Sequence, residues 1–290
     1  MKKSFWIIAA MAGVLFTACE NGDRDFPDFK YSAVYFAYQS PIRTITLGED
    51  PSVDNSLDNE HKCQIMATIA GVYENKKNVE IGIRVDNSLC DGYTFESTKG
   101  DIMPLPTSHY TLSDDKIVIK KGQVLGGVTV NLTDAFFNDP KATELNYVIP
   151  VVMTGVQNAD SILEGKPSVD TPDRVNKEDW EVQSKDYILY AVKYISKYDS
   201  HYLRRGVDTY TGNKTGTEVR HAANVEKDET IGGFSTLGLN KVQWERPTKD
   251  AAGKNVEANL ILTFDESGNC VITSNTCLLY TSPSPRDGAT

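Results

Sequence analysis

Val79-Glu80-Ile81-Gly82-Ile83-Arg84-Val85 decides the fold class. Its odd positions are apolar and its even positions are charged or glycine. Side chains of an extended strand alternate between two faces, so a period of two describes a strand with one buried and one wet face, as in an antiparallel sheet. Working outward, the theme repeats. Tyr110-Thr111-Leu112, Lys116-Ile117-Val118-Ile119 and Gly127-Val128-Thr129-Val130-Asn131-Leu132 read as strands, with Gly122 marking the turn between the last two. Tyr147-Val148-Ile149-Pro150-Val151-Val152-Met153 closes the set. Pro150 has no N–H to give to a ladder, which places this strand at an edge or at a bulge. Upstream, Tyr31 to Tyr38 is aromatic and β-branched, Ile42 to Leu47 partly alternates, and Cys63 to Tyr73 is strand-like. Short strands at this spacing, divided by polar turns, describe a β-sandwich.

Val34-Tyr35-Phe36-Ala37-Tyr38-Gln39, Tyr110-Thr111-Leu112, Lys121-Gly122 and Tyr147-Val148-Ile149-Pro150-Val151 resemble the N-terminal domain of unknown function of many Bacteroides-type surface lipoproteins, over about residues 27–160. That domain also precedes the catalytic barrel of some surface endo-N-acetylglucosaminidases. The resemblance implies an immunoglobulin-like sandwich and a setting of glycan capture, with an outer-membrane transporter complex as a candidate partner. The Pro- and Asp-rich stretch that follows reads as a linker over 161–179, and a second β domain is expected over 180–276. Its opening run, Asp186 to Ile195, has the apolar density of a helix or of a buried strand. Its Tyr, Val and Ile content favours the strand. Tyr194-Ile195, Tyr202-Leu203-Arg204-Arg205-Gly206 and Val219-Arg220-His221 resemble the partner domain of these lipoproteins, which implies a calycin-like β-barrel, truncated here. Further strands are expected at Leu237 to Trp244, Ala258 to Phe264 and Cys270 to Thr273. Asp265-Glu266-Ser267-Gly268-Asn269 supplies a hairpin turn. The fold class is therefore all-β.

Both ends of the chain carry their own signals. Met1-Lys2-Lys3 and the apolar run Ser4 to Phe16 have the form of a secretory leader, too short to span a bilayer. Thr17-Ala18-Cys19 resembles the bacterial lipobox, with Phe16 where Leu is usual. Residues 1–18 are then the leader, and Cys19 carries the diacylglyceryl anchor in outer-membrane lipid. The acidic tether over 19–28 resembles the signal that sends such lipoproteins to the cell exterior. At the other end, Cys277-Leu278-Leu279-Tyr280-Thr281-Ser282-Pro283-Ser284-Pro285-Arg286-Asp287 matches translated library-preparation adapter, so 277–290 are set apart from fold reasoning and the natural chain is expected to continue beyond Thr276.

Composition narrows the partners. A formal net charge of −10 without a basic run argues against nucleic acid, whose phosphates demand clustered cations. Cys63 and Cys270 sit in strand-like runs, where free Cys packs as a small hydrophobe. Pairing of Cys63 with Cys90 stays open. The acidic loop with Asp50, Asp54, Asp58 and Glu60 fits no calcium spacing and reads as solvated. No C-x-x-C occurs and the four His are scattered, so no metal site and no cofactor are expected. No Gly-x-Ser-x-Gly, paired-carboxylate signature or βα alternation stands out, which leaves no catalytic residue to name. For glycan binding, Trp180, Tyr198, Tyr202 and Trp244 can stack on sugar rings, and Arg204 and Arg205 can meet hydroxyls or acidic sugars. Each aromatic has packing as its alternative. Tyr35, Phe36 and Tyr38 read as sandwich core. Three functions remain: an accessory glycan-binding lipoprotein of a polysaccharide-uptake system, a surface adhesin, or the accessory part of a glycosidase.

If Cys19 is the anchor, Cys19→Ala moves the protein from the membrane fraction to the soluble fraction and abolishes fatty-acid labelling. A labelled C19A protein would refute the assignment.

Overall fold

The computed structural model describes residues 29–203, 206–211, 215–220, 230–231, 233–249 and 254–274. Cys19, Arg204, Arg205 and the segment 277–290 lie outside them. The protein is all-β, with a sandwich followed by a barrel-like domain.

The sandwich strands are β1 (Ala33–Tyr35), β2 (Ile42–Thr46), β3 (Lys62–Ala70), β4 (Val79–Val85), β5 (Met103–Pro104), β6 (Tyr110–Leu112), β7 (Lys116–Ile119), β8 (Leu125–Leu132), β9 (Tyr147–Gln157), β10 (Ser161–Ile162), β11 (Lys166–Pro167), β12 (Trp180–Val182) and β13 (Tyr187–Ile195). One sheet runs β10-β1-β3-β8-β6. The other runs β2-β13-β9-β4-β7, with β5 added beside β9. β4 has the bounds that its alternation predicts, with Val79, Ile81 and Ile83 buried. These face Ile65, Val128 and Val130 of the first sheet across a single core. Phe136 and Phe137, from the short helix α1 (Asp134–Phe137), seal it against Tyr194, whose hydroxyl donates to Phe137 O at 2.7 Å.

The expected boundary is corrected. Residues 161–179 are not a free linker, and Tyr187–Ile195 does not open the second domain. β10 pairs with β1 and β11 with β12, while β13 lies inside the second sheet. β13 is buried on both faces: Ile188, Tyr190, Val192 and Tyr194 face the main core, and Tyr187, Leu189 and Ala191 join a second cluster with Val148, Val152, Leu89 and Cys90. A strand covered on both sides loses its alternation, which is why its sequence also allowed a helix.

Pro150 is corrected too. β9 is central, between β13 and β4, not an edge. Met153 N donates to Asp186 O, so odd residues of β9 aim their N–H at β13 and even ones aim away. Pro150 therefore turns its nitrogen toward the point where β4 ends, opposite Val85↔Val151, and β5 takes over at Pro104↔Val148. Asp86 N still donates to Pro150 O at 2.9 Å, and the return bond that Pro150 cannot give falls just where β4 ends.

Asp58 departs from the solvated loop expected of it. It is 2% exposed, paired with the Arg43 guanidinium, and accepts from Thr46 N at 2.9 Å. Cys63 and Cys90 stay free, the first in the main core and the second in the outer cluster, and burial pushes each thiol up to about 11. Cys270 is exposed, contrary to the packing role read for it. So is Tyr38, at 77%, whereas Phe36 is core as expected.

The second domain contains β14 (Tyr202–Leu203), β15 (Gly206–Tyr210), β16 (Gly216–Arg220), β17 (Thr230–Ile231), β18 (Phe234–Gly238), β19 (Lys241–Lys249), β20 (Asn255–Phe264) and β21 (Cys270–Ser274). β18 to β21 form a four-stranded meander, and β14-β17 and β15-β16 form ribbons. The expected strand from Leu237 to Trp244 is two strands joined by a turn at Leu239 and Asn240. The hairpin at Asp265 is as expected: Asp265 N donates to Asn269 O at 3.0 Å, and Gly268 adopts φ +81°.

The sandwich boundary has a direct test. A chain of residues 20–196 should melt cooperatively, whereas 20–160, which lacks β13, should not. Cooperative melting of the shorter chain, read by circular dichroism, would refute the assignment of β13.

Candidate functional site

A cleft of about 600 Å³ opens on the outer face of the second sheet. That volume lies in the range of small-molecule sites, about 300–1,000 Å³. Its floor is apolar, with Val148 of β9, Leu189 and Ala191 of β13, and Ile42 of β2. Its wall is Tyr93 and Phe95, both half-buried. Ser40, Thr94, Glu96, Ser97 and Lys177 bring polar groups to the rim.

The wall is a braced loop. After β4, Asp86 caps a 3-10 turn, Asn87–Cys90, by accepting from Ser88. The chain then doubles back: Phe95 N donates to Gly100 O at 2.9 Å and Ile102 N to Tyr93 O at 2.9 Å. Tyr93 reaches across the cleft's edge and donates from its hydroxyl to Asp173 Oδ2 at 2.8 Å. Burial, reinforced by that carboxylate, pushes the phenol up to about 12, so it stays a donor at neutral pH. Asp173 is held in turn by Trp180, whose Nε1 donates to Asp173 O at 2.7 Å. Arg174 anchors the same excursion by donating to both oxygens of buried Asp186.

The sequence-derived candidates fall in three places. Trp180 does not line the cleft but supports its wall through Asp173. Tyr198, Tyr202 and Trp244 come together in the second domain, where they pack on one another's neighbours. Tyr198 stacks on Phe264 at 3.9 Å, Tyr202 meets Phe234 edge-on at 5.0 Å, and Phe234 stacks on Trp244 at 5.6 Å. Tyr202 also spends its hydroxyl on Tyr198 O at 2.7 Å. Arg204 and Arg205 lie outside the described residues. Sequence reading missed Tyr93 and Phe95. The available signal was a Tyr and a Phe inside a segment otherwise rich in Gly, Ser, Thr and charge.

Two other arrangements lie apart from the cleft. A polar concavity of about 710 Å³ lies between the sandwich and the second domain, with Lys141, Lys193, Asp199, Gln243 and Glu245 on its walls but no aromatic ring. A Ser-His-Asp chain also exists: Ser108 Oγ to His109 Nδ1 at 3.0 Å, and His109 Nε2 to Asp139 Oδ2 at 3.1 Å. The same Oδ2 accepts from Tyr147 at 2.6 Å, and Oδ1 accepts from Lys141 N at 2.9 Å. Asp139 is thus a bracket joining three segments, and none of Ser108, His109 and Asp139 lines the cleft. Among the described residues, no cluster of His, Cys, Asp and Glu could hold a metal ion.

Comparison with known proteins places the chain. A family model described as "-like, N-terminal domain" matches residues 29–160, and the domain of unknown function DUF5627 matches 197–282. A crystal structure from Bacteroides ovatus, of unknown function, is 45% identical at a TM-score of 0.80, covering 86% of this chain and 79% of that one. The chain belongs to the family of that protein. Looser likenesses are an auxiliary nutrient binding protein from Bacteroides thetaiotaomicron and a Bacteroides ovatus protein provisionally described as carbohydrate binding. The first is 10% identical, with TM-score 0.37, covering 82% of this chain and 70% of that one. The second is 15% identical, with TM-score 0.36, covering 84% and 67%. At those scores neither bears on the site. A search of curated proteins finds no match.

The Asp139 bracket gives a pH prediction. Burial raises its pKa, but hydrogen bonds from Tyr147, Lys141 N and His109 outweigh that and hold the carboxyl below its usual range. A depressed pKa stabilises the fold above the ordinary carboxylate pKa, and the contribution is lost as pH falls through the folded value. The melting-temperature gap between wild type and Asp139→Asn should therefore be full at neutral pH and shrink below about pH 4. A gap independent of pH would refute the bracket.

Proposed function

We propose that the protein is a non-enzymatic, lipid-anchored accessory protein of the outer-membrane surface that captures a glycan in the cleft beneath Tyr93 and Phe95. One observation carries the reading: an apolar floor and two braced aromatic side chains, ringed by Ser40, Thr94, Glu96, Ser97 and Lys177. A pyranose has an apolar C–H face and a polar rim of hydroxyls, and aromatic faces with a few convergent polar groups are complementary to it. The braced loop limits the ordering cost of binding. Capture rather than turnover fits the site, because the cleft offers one carboxylate, Glu96, where glycoside hydrolysis uses two. The leader pattern, Cys19 and the acidic tether support the surface location.

A glycan array probed with residues 20–290, which include every described residue, tests this. The expected result is binding to a polysaccharide, weakened at least about tenfold by Tyr93→Ala and by Phe95→Ala. Trp244→Ala, in the packed cluster of the second domain, should lower the melting temperature and leave affinity unchanged. Absence of binding to any polysaccharide, or full affinity in the Tyr93 and Phe95 variants, would refute the reading.

A further inference from the structure

Four segments meet at one end of the sandwich: the entry to β1, the turn from β3 to β4, the turn from β7 to β8, and the turn from β9 to β10. Asn75, buried in the first turn, donates to Lys120 O and Gln123 O at 3.1 Å each and accepts from Gly122 N at 2.7 Å through its own carbonyl. Lys121 N donates to Asn78 Oδ1 at 2.9 Å, and Asn158 Nδ2 to Asn78 O at 2.8 Å. The entry strand docks on the same turn, where a Cβ on Gly71 would lie 2.1 Å from Tyr31 O.

This end differs in chemistry from the rest of the molecule. Lys30, Lys76, Lys77, Lys120 and Lys121 are all exposed there, and among the described residues none is in an ion pair. Among the described residues the acidic groups beside them are Glu74 and Asp160, with Asp28 next to Phe29 in sequence, and Asp160 is occupied by Ser32 N and Oγ at 2.7 Å. A local excess of positive charge thus stands out on a chain of net charge −10. Three large aromatics share the surface: Phe29 is 70% exposed, Tyr31 60% and Tyr73 61%, with the Phe29 and Tyr73 rings 6.4 Å apart. No pair of these lysines beyond Lys76-Lys77 and Lys120-Lys121 is adjacent in sequence, so only the fold gathers them.

We propose that this basic, aromatic end docks onto an anionic lipid surface. Lysines seek phosphate headgroups, and amphipathic rings settle at the level between headgroups and acyl chains. Position agrees with chemistry. Cys19 is ten residues before Phe29, a reach of at most about 35 Å, which keeps this end of the sandwich within reach of the bilayer. The far end agrees as well. β13 runs antiparallel to β9 and leaves the sheet beyond Val192↔Tyr147, at the start of β9, whereas the basic end includes the last residue of β9, Gln157. The second domain therefore departs from the end opposite the membrane. The cleft, on the sheet's outer face at Val148, Leu189 and Ala191, is left open to solvent. The inference rests on Cys19 as the anchor and on the surface location, but not on the identity of the glycan.

The test uses residues 20–290, without leader or lipid, and vesicles of phosphatidylcholine alone or mixed in equal parts with phosphatidylglycerol. Co-sedimentation with the anionic vesicles is expected at about 20 mM salt and should fall steeply by about 300 mM. The exposed quadruple change Lys76→Glu, Lys77→Glu, Lys120→Glu and Lys121→Glu should weaken it at least about tenfold, with melting temperature and glycan binding retained. Phe29→Ala with Tyr73→Ala should weaken the salt-resistant remainder. Equal binding to both vesicles, wild-type binding by the quadruple variant, or binding to heparin with none to vesicles would overturn the proposal, the last by assigning the patch to a polyanionic glycan. Vesicle binding gained only after removal of residues 20–28 would also overturn it, by making the acidic tether the occupant. Loss of glycan binding with vesicle binding intact would refute the proposed function and leave this inference standing.

Discussion

β13 is hydrogen-bonded to β2 along one edge and to β9 along the other, with apolar side chains on both faces. The rest of the structure depends on that placement. On its inner face Tyr190, Val192 and Tyr194 complete the sandwich core, and Tyr194 holds α1 in place through Phe137 O. On its outer face Leu189 and Ala191 are the floor of the cleft. Its last residues lead into the second domain, where Ser196 N donates to Thr236 Oγ1 and Ser196 Oγ to Leu239 O. One strand thus serves core, site and junction. Removing it would leave β2 without its ladder and β9 with a bare edge, so no smaller unit of the sandwich is self-sufficient.

The cleft is built by polar brackets rather than by regular structure. Its wall carries no long strand or helix, and its position is fixed by a chain from Trp180 through Asp173 to Tyr93, with Arg174 and Asp186 pinning the excursion to the sheet. Loops can hold a binding geometry when a rigid scaffold and saturated hydrogen bonds remove their freedom. Trp180 illustrates the distinction between an aromatic that lines the cleft and one that positions the residue that does. The aromatics of the second domain illustrate a different outcome: Tyr198, Tyr202 and Trp244 spend their faces on Phe264 and Phe234 and hold the barrel-like domain together.

The molecule is also polar along its length, in the sense that its two ends differ in chemistry. The basic, aromatic end lies at the entry to β1, and the second domain leaves from the other. The chain's net negative charge conceals this, because charge counted along the sequence averages over turns that the fold brings together.

Local patterns in the sequence determined what depends on local geometry. The alternation from Val79 to Val85 settled a half-buried strand with its bounds, Asp265 to Asn269 settled a hairpin turn, and together with their neighbours they settled an all-β chain with a sandwich. Each is legible because the facing of a side chain is fixed by its own strand's period of two, and a turn by its own glycine. Tertiary structure alone decided the rest. Which strands flank β9, and so how Pro150 is tolerated, depends on where β4 stops and β5 starts. Whether Tyr187–Ile195 belongs to the first or the second domain depends on Ile42–Thr46 far upstream. Tyr93 and Phe95 become a wall only because Asp173 comes to them, and the lysines become a patch only because Asn75 ties two turns together. These are non-local contacts, and no window of sequence contains both of their halves.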